Sequence, residues 1–166
     1  MRIGLALSAI AAAAITVPSI AALVEKKPPY FASIAAKAAY MRTGPSRIYP
    51  VSWKYQRQGL PVKVIENYKE KGGGAMWRKV EDPGGTQGWI QSSLISDQRT
   101  AMVMGDIVEL RDSPRFAGKV NWRAEPGVVG RISKCGNGWC YLDVTGRGGF
   151  VEISHLWGVE AGETIE

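Results

Sequence analysis

Histidine occurs once in this chain of 166 residues, at position 155, and cysteine twice, at positions 135 and 140. A closed zinc site takes four ligands, commonly paired Cys and His, so one cannot be assembled from this set within a single chain. Any Ser/His/Asp or Cys/His relay has only His155 to draw on, and its setting in "ISHLWG" is that of an ordinary side chain after a closing strand. Amphipathic helical periodicity is missing too: no stretch of three turns carries it. The glycine clusters "KGGGA" and "TGRGG" therefore lack the strand-to-helix setting of a phosphate cradle, and no cofactor is expected. The one close pair of carboxylates, Glu81-Asp82, runs into Pro83-Gly84 and reads as a turn. These absences argue against an enzyme and against a bound metal.

Long apolar runs are also scarce. The one that exists, Ile3 to Val17, follows a positive Met1-Arg2 start, ends at Pro18, and precedes the small-x-small pattern Ser19-Ile20-Ala21. This is the layout of a secretory signal peptide, residues 1–21, with cleavage after Ala21 or Ala22. The alternative, an uncleaved anchor, would have to draw on Leu23 and Val24, because the run before Pro18 is short of the roughly 20 residues a spanning helix needs. The expectation is a periplasmic or secreted protein with no membrane span after cleavage. Residues 22–37, with Glu25-Lys26-Lys27-Pro28-Pro29 and the short apolar Phe31–Ala36, read as a linker. Charge is uneven. Residues 22–97 carry twelve Lys/Arg against six Asp/Glu, a net of +6, while residues 98–166 carry eight against nine, a net of −1. For an exported chain, a basic half points to anionic envelope polymers or head groups and not to nucleic acid.

What the rest of the chain does contain is one pattern written twice. "MRTGP", Met41 to Pro45, answers "LRDSP", Leu110 to Pro114, and Trp53 answers Trp122, all 69 positions apart. "LPVKVI" answers "GVVGRI", Trp77 answers Trp139, and "GWIQSS", Gly88 to Ser93, answers "GFVEIS", Gly149 to Ser154. The offset shrinks because the first copy holds an extra glycine-rich loop, Lys69 to Ala75. Short alternating runs such as Val62-Lys63-Val64-Ile65 and Asp106 to Leu110, punctuated by Gly, Pro, Asn and Asp, read as strands. The expectation is an all-β protein with two tandem β-barrels, at 38–96 and 100–159. Barrels of roughly sixty residues bury little apolar area and are marginal alone, so they should pack on each other.

The cysteines bracket Gly136-Asn137-Gly138-Trp139. Asn-Gly favours a two-residue type I′ turn, since both residues accept positive φ. That turn makes Gly136 and Trp139 the pair beside the loop and Cys135 and Cys140 the next, non-hydrogen-bonded pair, with Cα atoms about 4.5 Å apart. A cross-strand disulfide is expected there, which requires an oxidising compartment.

Arg42, Gly44-Pro45-Ser46, Tyr49-Pro50-Val51, Gly59, Trp77-Arg78-Lys79-Val80 and the closing Gly88 to Leu94 together resemble the bacterial SH3-like (SH3b) domain family. The resemblance covers nearly all of the mature chain, in two copies, and the second copy departs from it, with Asp112-Ser113 for Thr43-Gly44 and Phe150 for the closing Trp89. It implies non-catalytic SH3-like barrels that bind cell-wall material such as peptidoglycan, or alternatively dock envelope proteins as an adaptor. It also places Trp77, Trp89 and Trp139 at structural positions, which favours core packing. Trp53 and Trp122 are either equivalent core residues or a groove wall. The candidate ligand residues lie in the basic first copy: Tyr49 as a flat face for a sugar, with Arg47, Lys54 and Arg57 near it for carboxylate or acyl groups, and Trp53 as a wall.

Overall fold

The structure, a computed structural model, describes residues 26–166. The segment 1–21, read as an export signal, lies outside the described residues. The first copy contributes β1 (Tyr30–Ile34), β2 (Ala39–Arg42), β3 (Val51–Tyr55), β4 (Pro61–Lys69), β5 (Met76–Glu81), β6 (Gln87–Gln91) and β7 (Ile95–Ser96). The second contributes β8 (Thr100–Val103), β9 (Val108–Arg111), β10 (Val120–Ala124), β11 (Val129–Gly136), β12 (Trp139–Val144), β13 (Arg147–Glu152) and β14 (Leu156–Trp157). The two sheets have orders β3-β2-β6-β5-β4-β1-β7 and β10-β9-β13-β12-β11-β8-β14, the same topology repeated. The expected all-β fold of two tandem SH3-like barrels is what the chain adopts.

Alternation builds each core. In the first sheet Met41, Val62, Val64, Val80 and Ile90 turn inward; in the second Leu110, Ile132, Leu142 and Val151 do so, together with both cysteines. Side chains an odd number of residues apart on a strand point to opposite faces. Trp77, three residues before Val80, and Trp139, three before Leu142, are therefore buried against the outer face of their sheets and belong to neither core.

The segment read as linker, 22–37, contains β1, a strand buried along its whole length. Ser33 and Ile34 pair with Ser96 and Ile95, as Met102 and Val103 pair with Trp157 and Leu156. Carrying the offset of 69 back from Met41 lands Thr100 on Phe31, so the repeat starts seven residues or so before 38. The run Phe31–Ala36 looked too short because its barrel neighbours, β4 and β7, are distant in sequence.

The barrels pack through this first strand. The Phe31 ring meets Trp157 edge-on at 5.0 Å between centroids. Arg99 and Lys63 lie over Phe31 at 5.8 and 5.4 Å. Arg99 also donates to the Gly158 carbonyl at 2.8 Å and makes a two-pronged ion pair with Glu163. Lys63 reaches Glu160 at 2.7 Å. Gly158 has φ of 121°, and a Cβ there would sit 2.4 Å from the Thr100 carbonyl, so the junction requires glycine.

The disulfide Cys135–Cys140 is formed, with Cα atoms 4.0 Å apart, and Asn137 and Gly138 take the positive φ of a type I′ turn. A bulge at Lys134 offsets the ladder between Ser133 and Gly136. The Cys135 backbone is thereby free to exchange two hydrogen bonds with Ile165, at 2.8 and 3.0 Å. The tail after Val159 thus ties the stapled hairpin to Glu163 and the junction.

Two outcomes follow. Replacing both cysteines by serine should cost about 2 kcal/mol, the low end for a short loop, measured by urea denaturation. The Arg99 hydrogen bond holds the Glu163 carboxyl below its ordinary value against the opposing effect of burial. A depressed carboxyl contributes stability above its unfolded pKa and loses it as pH falls through the folded one. Melting temperature should therefore drop between about pH 5 and about pH 3, less steeply in Glu163→Gln, as thermal scans across that range will report.

Candidate functional site: a groove present in both copies

Each barrel has a loop closed in the same way, residues 43–50 between β2 and β3 in the first and 112–119 between β9 and β10 in the second. Thr43 N–H donates to the Pro50 carbonyl and Asp112 N–H to that of Lys119, at 3.1 and 2.9 Å. Inside the loop, Arg42 Nη1 donates to the Tyr49 carbonyl and Arg111 Nη1 to that of Gly118, both at 2.7 Å. The arginine common to "MRTGP" and "LRDSP" is a loop clasp.

A groove opens between this loop, the start of β5 and the turn after β6. In the first barrel it is about 390 Å³ and is lined by Ala38, Tyr40, Arg42, Arg47, Trp77, Gln91 and Leu94. In the second it is about 570 Å³, and its lining includes Ile107, Glu109, Arg111, Phe116, Trp139, Glu152 and His155. These sets correspond position by position: the first four are 69 apart, and the ladder pairs Trp77↔Gln91 and Trp139↔Glu152 align the others. Only the tryptophan and the clasp arginine are the same in both.

The chemistry has diverged. In the first groove Arg47 Nη2 donates to Gln91 Oε1 at 3.2 Å, the Lys54 ammonium stands 5.7 Å from the Tyr40 ring, and no lining residue is acidic. Trp77 Nε1 donates to Glu70 Oε1 at 2.9 Å, so the inserted loop of the first copy anchors the groove floor. In the second groove Glu109 pairs with both Arg111 and Arg123, the latter at 3.1 Å. Glu152 stands 3.9 Å from His155 Nε2, and the exposed Phe116 ring meets Trp139 edge-on at 5.3 Å. Charge is balanced there and unbalanced in the first.

Of the residues singled out from sequence, Arg47 lines the first groove and Lys54 stands on its rim through Tyr40. Tyr49 lies on the loop behind it, 42% exposed, its ring flat against Gly44. Arg57 is exposed beyond the end of β3 and is not part of the groove. Trp53 is 57% exposed on the edge strand β3, neither core nor groove wall, because β3 pairs with β2 alone. Trp122 is also exposed, with the Arg147 guanidinium 5.2 Å from its ring. Sequence reasoning missed Tyr40, Gln91 and the entire second groove, although the offset of 69 would have led from Arg47 to Phe116.

The Tyr49 seat has a sterically matched counterpart. A Cβ on Gly44 would fall 2.6 Å from the Tyr49 ring, and a Cβ on Gly118 would fall 2.6 Å from Ser113 Oγ. Positions 44 and 49 of the first copy correspond to 113 and 118 of the second, so glycine and side chain have exchanged places. Gly44→Ala should cost about 1–3 kcal/mol and shift the Tyr49 ring resonances, whereas the exchange Gly44→Ser with Tyr49→Gly should restore stability. Chemical denaturation and NMR of the ring protons check both.

No curated protein matches the chain. Among solved structures it is similar to NlpC1 from Trichomonas vaginalis, at 10% identity and a TM-score of 0.34 over 86% of this chain and 50% of that one. It is similar to NlpC2 from the same organism, also at 10% identity and 0.34, over 82% and 52%. The chain spans about half the length of each. The family model of the bacterial SH3 domain matches it twice, over residues 35–97 and 104–158, one match within each repeated sheet, from the end of its first strand onward. With its topology, its clasped loops and both matched regions in agreement, the chain belongs to the bacterial SH3 domain family, in two tandem copies.

Proposed function

We propose that this chain is an exported, non-catalytic binding protein whose first barrel holds anionic cell-envelope material, most directly peptidoglycan. The observation that carries this reading is the first groove. Arg42 and Arg47 line it beside Tyr40, over a Trp77 floor held by Glu70, Lys54 stands at its rim, and no carboxylate is among the lining residues. The exposed Tyr40 ring offers a face to the apolar side of a sugar while cations pair with carboxylates, which is the composition of a glycan bearing acidic peptides. Export is supported by the apolar N-terminal run and by the disulfide, which persists in oxidising compartments. Among the described residues no helix is long and apolar enough to cross a membrane.

A protein-docking role is the second reading. One observation favours it: Ile48, Val51 and Trp53 are all exposed on the loop and edge strand of the first barrel.

Pull-down on washed sacculi separates the two. Retention of the purified mature protein should survive physiological salt, and Arg47→Ala with Lys54→Ala should lower it about tenfold, as expected for losing two charge-assisted contacts. Absence of retention overturns the wall reading. Retention that falls with Trp53→Ala and Val51→Ala but not with the groove variant moves the site to the edge strand.

A further inference from the structure

We propose that the second barrel carries a separate site for a short aliphatic carboxylate, in the cleft beneath Trp122 at the opposite end of β10 from its loop. The proposal is independent of the groove reading and rests on a comparison of the two copies at one position. In the first barrel Tyr55, at the end of β3, points inward, and its hydroxyl donates to Asp82 Oδ2 at 2.8 Å and lies beside Met41 Sδ. Asp82 is held in turn by the N–H groups of Gly84 and Thr86, both at 2.9 Å. The tyrosine is a plug, buried and fully bonded. Burial, and then Asp82, push its hydroxyl well above the usual range, so it stays protonated.

The equivalent positions in the second barrel are Ala124 and Val144. Ala124 pairs with Val108 as Tyr55 pairs with Ala39, and Val144 follows Leu142 as Asp82 follows Val80. Both plug and partner are gone, and the space is open: a cleft of about 280 Å³ with Leu110, Ala124, Val128 and Val144 as floor and Trp122 as wall. This is near the lower end of small-ligand sites, large enough for a short alkyl chain and too small for a folded peptide.

The rim chooses the head group. Arg147 lies over the Trp122 ring at 5.2 Å and makes no ion pair among the described residues. Arg123 already serves Glu109, and Glu125 adds one carboxylate. An unpaired guanidinium above an apolar, aromatic-walled cleft matches a carboxylate on an aliphatic body: the chain displaces water from the floor, and the carboxylate takes a forked pair of hydrogen bonds from Arg147.

The test titrates octanoate into the full mature chain and follows the Trp122 indole N–H by NMR, identified with Trp122→Phe. Octanoate should shift that signal, and octylammonium should not. Arg147→Gln, at an exposed position that leaves the fold intact, should weaken octanoate about tenfold. The double variant Ala124→Tyr with Val144→Asp, which installs the plug of the first barrel, should abolish the shift, its folding being checked by amide signal dispersion. An unmoved indole at saturating octanoate, an equal response to octylammonium, or full binding by Arg147→Gln or by the folded plugged variant overturns the proposal.

Discussion

The contact of Phe31 with Trp157, clamped by Arg99 and Glu163, is the interaction on which the rest of the molecule depends. A barrel of roughly sixty residues leaves much of its surface in water and gains little margin from its own core. Here each barrel lends the other an aromatic ring, and the Phe31 ring is roofed by Arg99, which belongs to the three-residue connection between the barrels. Because Arg99 also binds Glu163 and Gly158, the connection, the last strand and the tail form one unit. The tail continues to Ile165 and the Cys135 backbone, so the disulfide hairpin is joined to the same unit. A staple that is local in sequence closes a path from the far hairpin to the junction.

With the chassis held in this way, the two copies have been free to differ at their surfaces. What stayed constant is the minimum that shapes a groove: a clasp arginine, Arg42 or Arg111, and a floor tryptophan, Trp77 or Trp139. What changed did so in compensating pairs. Gly44 with Tyr49 became Ser113 with Gly118, which conserves space on the loop. Tyr55 with Asp82 became Ala124 with Val144, which removes a hydroxyl and its acceptor together and so strands neither of them. The second exchange does not conserve space, and a cleft marks the difference.

The reach of sequence reasoning follows the same division. Strand alternation, Asn-Gly at the hairpin tip and the spacing of the repeat are local or one-dimensional, so the two barrels, the type I′ turn and the disulfide are legible in the residues themselves. The cation at Arg47 is legible as well, because it sits two residues from Tyr49 in the basic half of the chain. The role of Phe31 is not, since a five-residue strand acquires its meaning from β4 and β7, which are far along the chain. The tryptophans mislead for a related reason: residue type indicates burial but not the face of the sheet, and Trp77 and Trp139 fall on the face opposite the core.

Taken by itself, the sequence determined the class of fold, the duplication, the staple and the imbalance of charge, all properties carried by composition and near-neighbour pattern. Tertiary structure alone decided which side chains share a groove, because Tyr40, Arg47, Trp77 and Gln91 come from four separate segments that meet only when the sheet curls. It also decided that Trp53 stands on an open edge, and that the loss of Tyr55 from the second copy leaves a space instead of a collapse. Those outcomes depend on what surrounds a residue in three dimensions, and the chain spells its surroundings dozens of positions away.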